Sequence, residues 1–180
     1  QAALSGYNGF NLLAADFAEG ECFWASNGGA LPRRLGKGLY GLSNAQLDTP
    51  WPKVVMLKQR LADALGAHGD VDVDALASAL FGALADRQTF PDEQLPATGV
   101  PTDLERMLSA AFIRSPDGRY GTRTSTVLIT QRQGRRLFTH VFERTFTAGP
   151  GLALLRRSTL SDWPPRYAPG LVPRPVPQAE

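Results

Sequence analysis

Residues 40–53 read YGLSNAQLDTPWPK and contain the side chains best suited to chemistry in this sequence. Asn44 offers an uncharged amide with two N–H donors, and such a group stabilises an oxyanion while also tolerating an uncharged substrate. An asparagine at the end of a strand also commonly closes a turn with its own side chain. The sequence leaves both interpretations of Asn44 open.

Asp48 and Trp51 also admit two interpretations each. Asp48 precedes a predicted helix, so it is either a cap at the helix start or a polar group that orients a ligand in a pocket. Trp51 stands between Pro50 and Pro52. It is either a packing anchor that fixes the start of the helix or the wall of an apolar pocket.

Arg123 lies in a predicted strand, where a period of two places it on one face with Ser125, Val127 and Ile129. Such an arginine often lies at a sheet edge with its guanidinium group in water. The alternative is a buried cation that lowers the pKa of a reacting thiol or carboxylate. The spacing does not decide between them.

Cys22 and His140 are less suited to catalysis. Cys22 lies mid-strand with neither a neighbouring histidine nor a helix N-terminus, which indicates a buried, inert thiol. His140 alternates with Phe138 and Phe142, which is typical of a core or edge histidine. Haem ligation by His140 is the alternative.

Composition narrows the functional class. The 180 residues suit one domain, and 43% hydrophobic with 20% charged residues is ordinary for a globular protein. A net charge of +2 argues against a nucleic-acid partner, and no apolar run reaches the roughly 20 residues of a membrane span. Two distant histidines provide no metal-ligand spacing, and we expect no cofactor. A single cysteine excludes an internal disulfide and favours a reducing, cytoplasmic location.

The N-terminal part predicts strands followed by a helix. Residues 9–16 and 20–26 predict a hairpin that turns near residues 18–20, and residues 30–36 and 38–44 predict a second strand pair. From Lys53, apolar residues recur on one helical face until Gly66 ends the pattern: Val54, Leu57, Leu61 and Leu65.

The next segments predict two more helices. One begins at Asp70 or Asp72, both good caps, and its apolar stripe is Val73, Leu76, Leu80 and Leu84. A polar loop covers residues 87–101. Thr102 and Glu105 then match a capping box, ahead of a helix that buries Leu104, Leu108 and Ala111.

The C-terminal part predicts a hairpin and a tail. Residues 115–118 form a turn, and residues 120–131 and 135–147 form a hairpin around Gln133-Gly134. Strand pairs, then helices, then a strand pair indicate an α+β fold with antiparallel sheets. We therefore predict one domain over residues 1–148 and a Pro-rich, extended or disordered tail over residues 149–180.

Three segments resemble landmarks of one family: YNGFNLLAAD, GLYGLSNAQLDTPWPKV and YGTRTSTVLI. In order and spacing they are similar to the NRDE family, also known as the transport and Golgi organisation protein 2 family, over residues 5–147. The resemblance implies a domain like that of N-terminal-nucleophile hydrolases, an αββα sandwich of helices and antiparallel sheets. It also implies hydrolysis of a carbon–nitrogen amide bond, with a small amide or a lipid-like molecule as the ligand.

The chain departs from that family at its start. NRDE proteins carry a cysteine directly after the initiator Met, followed by an Asn-Arg-Asp-Glu motif. In N-terminal-nucleophile hydrolases, the chain begins with the nucleophilic residue, and the α-amino group of that residue acts as the base. This chain begins with Gln1 and contains no such motif. The resemblance implies that roughly the first third of such a protein is missing. We therefore expect no hydrolysis by this chain alone, and its targeting signal and oligomeric state are not indicated.

The resemblance also bears on individual residues. LSNAQLDTPW is similar to the segment of bile-salt hydrolases and penicillin V acylases that holds their oxyanion-hole asparagine, and Asn44 falls on that asparagine. The Arg of TRTST, Arg123, is similar to their late active-site arginine. Asn44 and Arg123 are therefore the catalytic candidates, and Asp48 and Trp51 are the pocket candidates. The alternative function is a non-enzymatic module that carries haem or a lipid-like molecule, with His140 as the haem ligand.

Overall fold

The computed structural model describes residues 8–17, 19–68, 72–147 and 153–163. These residues form two three-stranded antiparallel sheets and three α-helices, which confirms the predicted α+β class. The four-layer stacking of helices and sheets stays a prediction.

The first sheet contains the N-terminal hairpin. Strands β1 (Asn11–Asp16) and β2 (Glu21–Ser26) pair antiparallel, from Asn11 opposite Ser26 to Asp16 opposite Glu21. Trp24 is the buried residue of β2, and its indole N–H donates to the Asn11 side-chain oxygen at 3.0 Å. The hairpin prediction is confirmed.

Three helices follow: α1 (Pro52–His68), α2 (Val73–Leu84) and α3 (Thr102–Leu108). Asp72 caps α2 as predicted, since its carboxylate accepts the N–H groups of Asp74 at 2.9 Å and Ala75 at 3.0 Å. Gly66 does not end α1, because a glycine near a helix end costs only about 1 kcal/mol.

The predicted second strand pair was wrong. Only strand β3 (Arg33–Arg34) forms, and it pairs with Trp24 and Phe23 of β2. Residues 38–44 form no strand. Gly41 lies so close to α1 that an added Cβ would come within 2.5 Å of a Val54 methyl group, so this segment packs against α1.

The second sheet supports the core. Strands β4 (Thr124–Gln133) and β5 (Arg136–Thr145) form the predicted hairpin, with Gly134 and Arg135 in the turn. One face of this sheet packs against α2. The buried cluster between them consists of Ala77, Phe81, Val127 and Phe142, with Val73, Leu80, Leu84 and Ile129 packed around it.

A third strand of this sheet lies within the predicted tail. Strand β6 (Leu154–Ser161) pairs antiparallel with β5 at the sheet edge. Its backbone is extended, as expected, but it is part of the sheet. Residues 151–163 contain no proline, so every backbone N–H of this strand can take part in pairing. The proline-rich residues 164–180 lie outside the described residues.

The predicted capping box of α3 was also wrong. Pro101 precedes the helix without a side-chain cap, and Ala111 lies beyond the helix end at Leu108. The buried Glu105 carboxylate instead accepts the backbone N–H of Thr98 at 2.8 Å and the hydroxyl of the same residue. Glu105 therefore secures the 87–101 loop against α3.

Thr139 generates a test of the β6 edge. It is fully buried, and its hydroxyl donates to the carbonyl of Trp163 at 2.7 Å. Because that donation uses its only hydrogen, Thr130 must donate in the 2.7 Å contact between the two hydroxyls. Thr139→Val should lower the free energy of unfolding by about 1–3 kcal/mol, since it leaves the Trp163 carbonyl unpaired.

The control is Thr130→Val, which keeps the bond from Thr139 to Trp163. Urea unfolding of both variants measures the difference. Equal losses in the two variants would contradict a stabilising hydrogen bond from Thr139 to the Trp163 carbonyl.

Candidate functional site

The site is built on the loop of residues 41–49, which is closed by Gly41 and Asp48. The Asp48 N–H donates to the Gly41 carbonyl at 2.7 Å, and the Gly41 N–H donates to the Asp48 carboxylate at 2.9 Å. Asp48 adopts a left-handed φ of 60°, which aspartate tolerates better than most side chains. We call this reciprocal pair the Asp48 clasp.

Lys58 of α1 binds the clasp to the helix. Its ammonium nitrogen lies 2.6 Å from the Asp48 carboxylate, and both side chains are about one-quarter to one-third exposed. The Lys58 hydrogen bond is the largest cause that lowers the pKa of Asp48. Asp48 therefore holds a charge at neutral pH that fixes the loop onto α1.

Two further contacts fix the middle of the loop. The side-chain N–H of Asn11 in β1 donates to the Ala45 carbonyl at 3.0 Å. Thr49 donates its backbone N–H at 3.1 Å and its hydroxyl at 2.8 Å to the Gln46 carbonyl. The loop is thus tied to the first sheet on one side and to α1 on the other.

Asn44 lies at the exposed middle of this loop. Among the described residues its side chain makes no hydrogen bond, because the turn is closed by Asp48, Thr49 and Asn11 instead. The amide is therefore not used to close a turn. It lines two recesses, a cavity of about 180 Å³ and an open groove of about 570 Å³ beside β1.

The smaller recess is the Asn44 cavity, and Trp51 forms part of its wall. Apolar side chains alternate there with a few polar groups, as is typical of small-molecule sites. Its lining residues are Asn44, Trp51, Pro52, Lys53, Pro96, Thr98, Glu105, Leu108, Ser109, Ile113 and Tyr120.

Lys53 and Glu105 are members of this cavity that sequence reasoning missed as site residues. The Lys53 ammonium donates to the Leu108 carbonyl at 2.8 Å and lies 5.9 Å from the centre of the Trp51 ring. Burial lowers the pKa of Lys53, and the charge of Glu105 partly opposes that effect. Their positions arise from contacts between α1 and α3, which periodicity does not reveal.

Arg123 does not line the Asn44 cavity. It is exposed, directly precedes β4, and its carbonyl accepts the Phe146 N–H at 2.8 Å. It lines a second cavity of about 180 Å³, together with Arg87 and Arg114. We call this the arginine cavity, and it shares Ile113 and Tyr120 with the Asn44 cavity.

The other candidates lie apart from both cavities. Asp48 lines a shallow recess against α1, where it braces the loop and does not face the Asn44 cavity. Cys22 is a half-buried free thiol in β2. His140 is partly buried in β5, with its Nδ1 atom 3.1 Å from the Thr159 hydroxyl.

The arrangement of possible metal ligands and the character of the helices bear on metal binding and on membrane insertion. Among the described residues, no group of three or more His, Cys, Asp or Glu side chains is arranged to hold a metal ion. Within the same residues, no helix has both the length and the apolar character needed to cross a membrane.

The chain thus combines an α+β fold with a cavity built on a clasped loop. The profile of the Transport and Golgi organisation 2 family matches residues 1–148. The chain belongs to this family, which confirms the resemblance of the three sequence landmarks.

The relatives found among curated proteins carry the same name. The chain is 39% identical over 140 residues to the Transport and Golgi organization protein 2 homolog of Bos taurus, and 37% identical over 141 residues to that of Homo sapiens. Each match covers 74% of this chain and 50% of the relative. The chain therefore spans about half the length of the relatives it matches.

Gly41 generates a test of the clasped loop. Gly41→Ala places a Cβ 2.5 Å from Val54 and 3.1 Å from Lys58, so the loop must move away from α1. We expect the free energy of unfolding to fall by about 1–3 kcal/mol, as in other overpacked sites. The matched control is Gly66→Ala in α1, where an added Cβ meets no atom within 4 Å and should be neutral or stabilising. A Gly41→Ala protein as stable as the Gly66→Ala protein would contradict the contact.

The Asp48 clasp also predicts a pH dependence. Because Lys58 holds the pKa of Asp48 below its usual range, the stabilisation is fully present above the unfolded-state pKa of about 3.9 and is lost as pH falls through the lower folded-state pKa. Asp48→Asn should therefore be destabilising at pH 7, with the difference from wild type shrinking below about pH 4. Unfolding free energies at pH 7, 5, 4 and 3 measure this. A difference that is constant with pH would exclude the charged clasp.

Proposed function

We propose that the Asn44 cavity binds a small molecule through a carbonyl oxygen, to which the Asn44 amide donates. The proposal rests on the position of the Asn44 side chain and on its lack of an internal hydrogen-bond partner. It lines the cavity and makes no hydrogen bond within the described residues, while its loop is held by the Asp48 clasp. A fixed amide donor with no internal partner is suited to a ligand acceptor.

The cavity walls support an amide or lipid-like ligand. Trp51, Leu108 and Ile113 supply apolar surface, and Lys53 supplies a half-buried ammonium group. This combination favours a ligand with a carbon skeleton and one polar carbonyl end.

In the longer proteins of the family, we propose that the same amide supports hydrolysis of a carbon–nitrogen bond. Asn44 would stabilise the oxyanion that forms when a nucleophile attacks the bound carbonyl. Within the described residues the hydroxyl groups of the cavity are engaged in the fold. The Ser109 hydroxyl donates to the Arg106 carbonyl, the Thr98 hydroxyl donates to Glu105, and no histidine lines the cavity. We therefore propose that this chain alone binds the ligand without hydrolysing it.

The second candidate is transport of a lipid-like molecule without catalysis. The words "transport and Golgi organization" in the names of the relatives and the apolar walls of the cavity favour it. Haem is less well supported. His140 has an unpartnered, buried Nε2 atom among the described residues, but it lines neither the Asn44 cavity nor the arginine cavity. The described residues therefore do not fit haem in either cavity.

The test uses N-methylacetamide as a carbonyl probe. Titration should shift the side-chain NH₂ signal of Asn44 in a ¹⁵N-labelled protein, because that group is the proposed donor. Asn44→Ala should weaken saturable binding about tenfold or more while changing the unfolding free energy by no more than about 0.5 kcal/mol, since the side chain has no internal hydrogen bond to lose. In a hydrolytic full-length relative, the corresponding change should lower kcat by about 10² to 10³.

Gln46→Ala is the matched control, because it removes a neighbouring amide that does not line the Asn44 cavity. An equal loss of affinity in the Gln46 variant, or an unchanged affinity in the Asn44 variant, would refute the proposed role.

A further inference from the structure

We propose that the arginine cavity is an anion-binding site for a carboxylate or phosphate group. The charges of Arg87 and Arg123 line it, together with Arg114, which has an interaction partner of its own, and no aspartate or glutamate is among its described lining residues. Like charges around one small cavity repel each other and create a positive potential that attracts an anion. The nearest acidic side chains in sequence, Asp86 and Asp117, do not line the cavity.

Those two carboxylates are already engaged elsewhere. Asp86 pairs with Arg60 at 2.6 Å, and Asp117 accepts the Ser115 hydroxyl at 2.6 Å and the Arg119 N–H at 3.1 Å. The positive charge of the cavity is therefore not balanced by the acidic residues next to it in sequence.

Aromatic rings shape the cavity and hold one of its cations. The Arg87 guanidinium carbon lies 5.0 Å from the centre of the Phe112 ring, and Phe112 meets Phe146 edge to face at 4.8 Å. Stacking on a ring orients the planar guanidinium group, and a planar fork of donors matches the two oxygens of a carboxylate or phosphate.

The loop behind the arginines is well fixed. Arg114 and Gly121 form an antiparallel bridge, and the Ile113 N–H donates to the Thr122 hydroxyl at 3.0 Å. A Cβ on Gly121 would lie 2.5 Å from the Ile113 carbonyl, so the two chain segments approach each other more closely than a larger residue would allow. Arg114 and Arg123 are thus carried by a braced turn.

The position of the cavity indicates the class of ligand. The arginine cavity and the Asn44 cavity share the lining residues Ile113 and Tyr120, so the two cavities are neighbours and a ligand that spans them would contact both. If Asn44 binds a carbonyl, the ligand is an amide or acyl compound with an anionic end. This last step rests on the proposed function, whereas anion binding itself does not.

The experiment titrates the ¹⁵N-labelled 180-residue chain with inorganic phosphate and, separately, with succinate at constant ionic strength. We expect saturable shifts of the backbone amide signals of Gly121 and Thr122 with at least one anion, and the stronger ligand identifies the preferred group. Arg87→Gln and Arg123→Gln should each weaken binding about tenfold or more, as expected for loss of a charged hydrogen bond.

Arg119→Gln is the matched control, because it removes the same charge from the same region at a side chain that is 90% exposed and does not line the cavity. It should keep the affinity within about twofold of wild type. No saturable shift with either anion, or an equal loss in the Arg119 variant, would overturn the site. The carbonyl proposal is tested by N-methylacetamide with Asn44→Ala, and the anion proposal by phosphate and succinate with the arginine variants, so failure of one and failure of the other are separate results.

Discussion

The candidate site depends on the Asp48 carboxylate. This one group accepts the Gly41 N–H and the Lys58 ammonium group, while its own backbone N–H returns to Gly41. The clasp closes a loop that has no helix or strand of its own and attaches it to α1. Because Asp48, Thr49 and Asn11 make the hydrogen bonds that hold the loop, the Asn44 amide is left without an internal partner.

The same constraint explains the composition of the 40–53 segment. Gly41 is needed where the backbone approaches Val54, and Asp48 is needed for both its left-handed backbone and its charge. Trp51 accepts the first N–H groups of α1 at its carbonyl and presents its ring to Lys53 at the cavity wall. Residues that looked like separate candidates in the sequence thus divide into a cavity-lining group, Asn44 and Trp51, and a bracing residue, Asp48.

Sequence reasoning succeeded where the signal is local. The Asp72 cap, the two hairpins and the 115–118 turn depend on neighbouring residues, and each is present in the structure. It failed where the local structure depends on a contact with residues that are distant in the sequence. Glu105 bonds Thr98 and not its own helix start, and residues 38–44 pack on α1 instead of pairing as a strand. Arg123 does not line the Asn44 cavity, whereas Lys53 does. Both positions depend on how distant elements pack together, and the periodicity of the sequence contains no information about that packing.

The central claim is that the Asp48 clasp positions Asn44 for a ligand. The most direct test is a double-mutant cycle in which N-methylacetamide affinity is measured for wild type, Asn44→Ala, Asp48→Asn and the double variant. If the clasp acts through Asn44, Asp48→Asn weakens binding in the wild-type background and has no further effect once Asn44 is alanine. Additive losses in the two single variants, or an unchanged affinity in Asp48→Asn, would contradict the account.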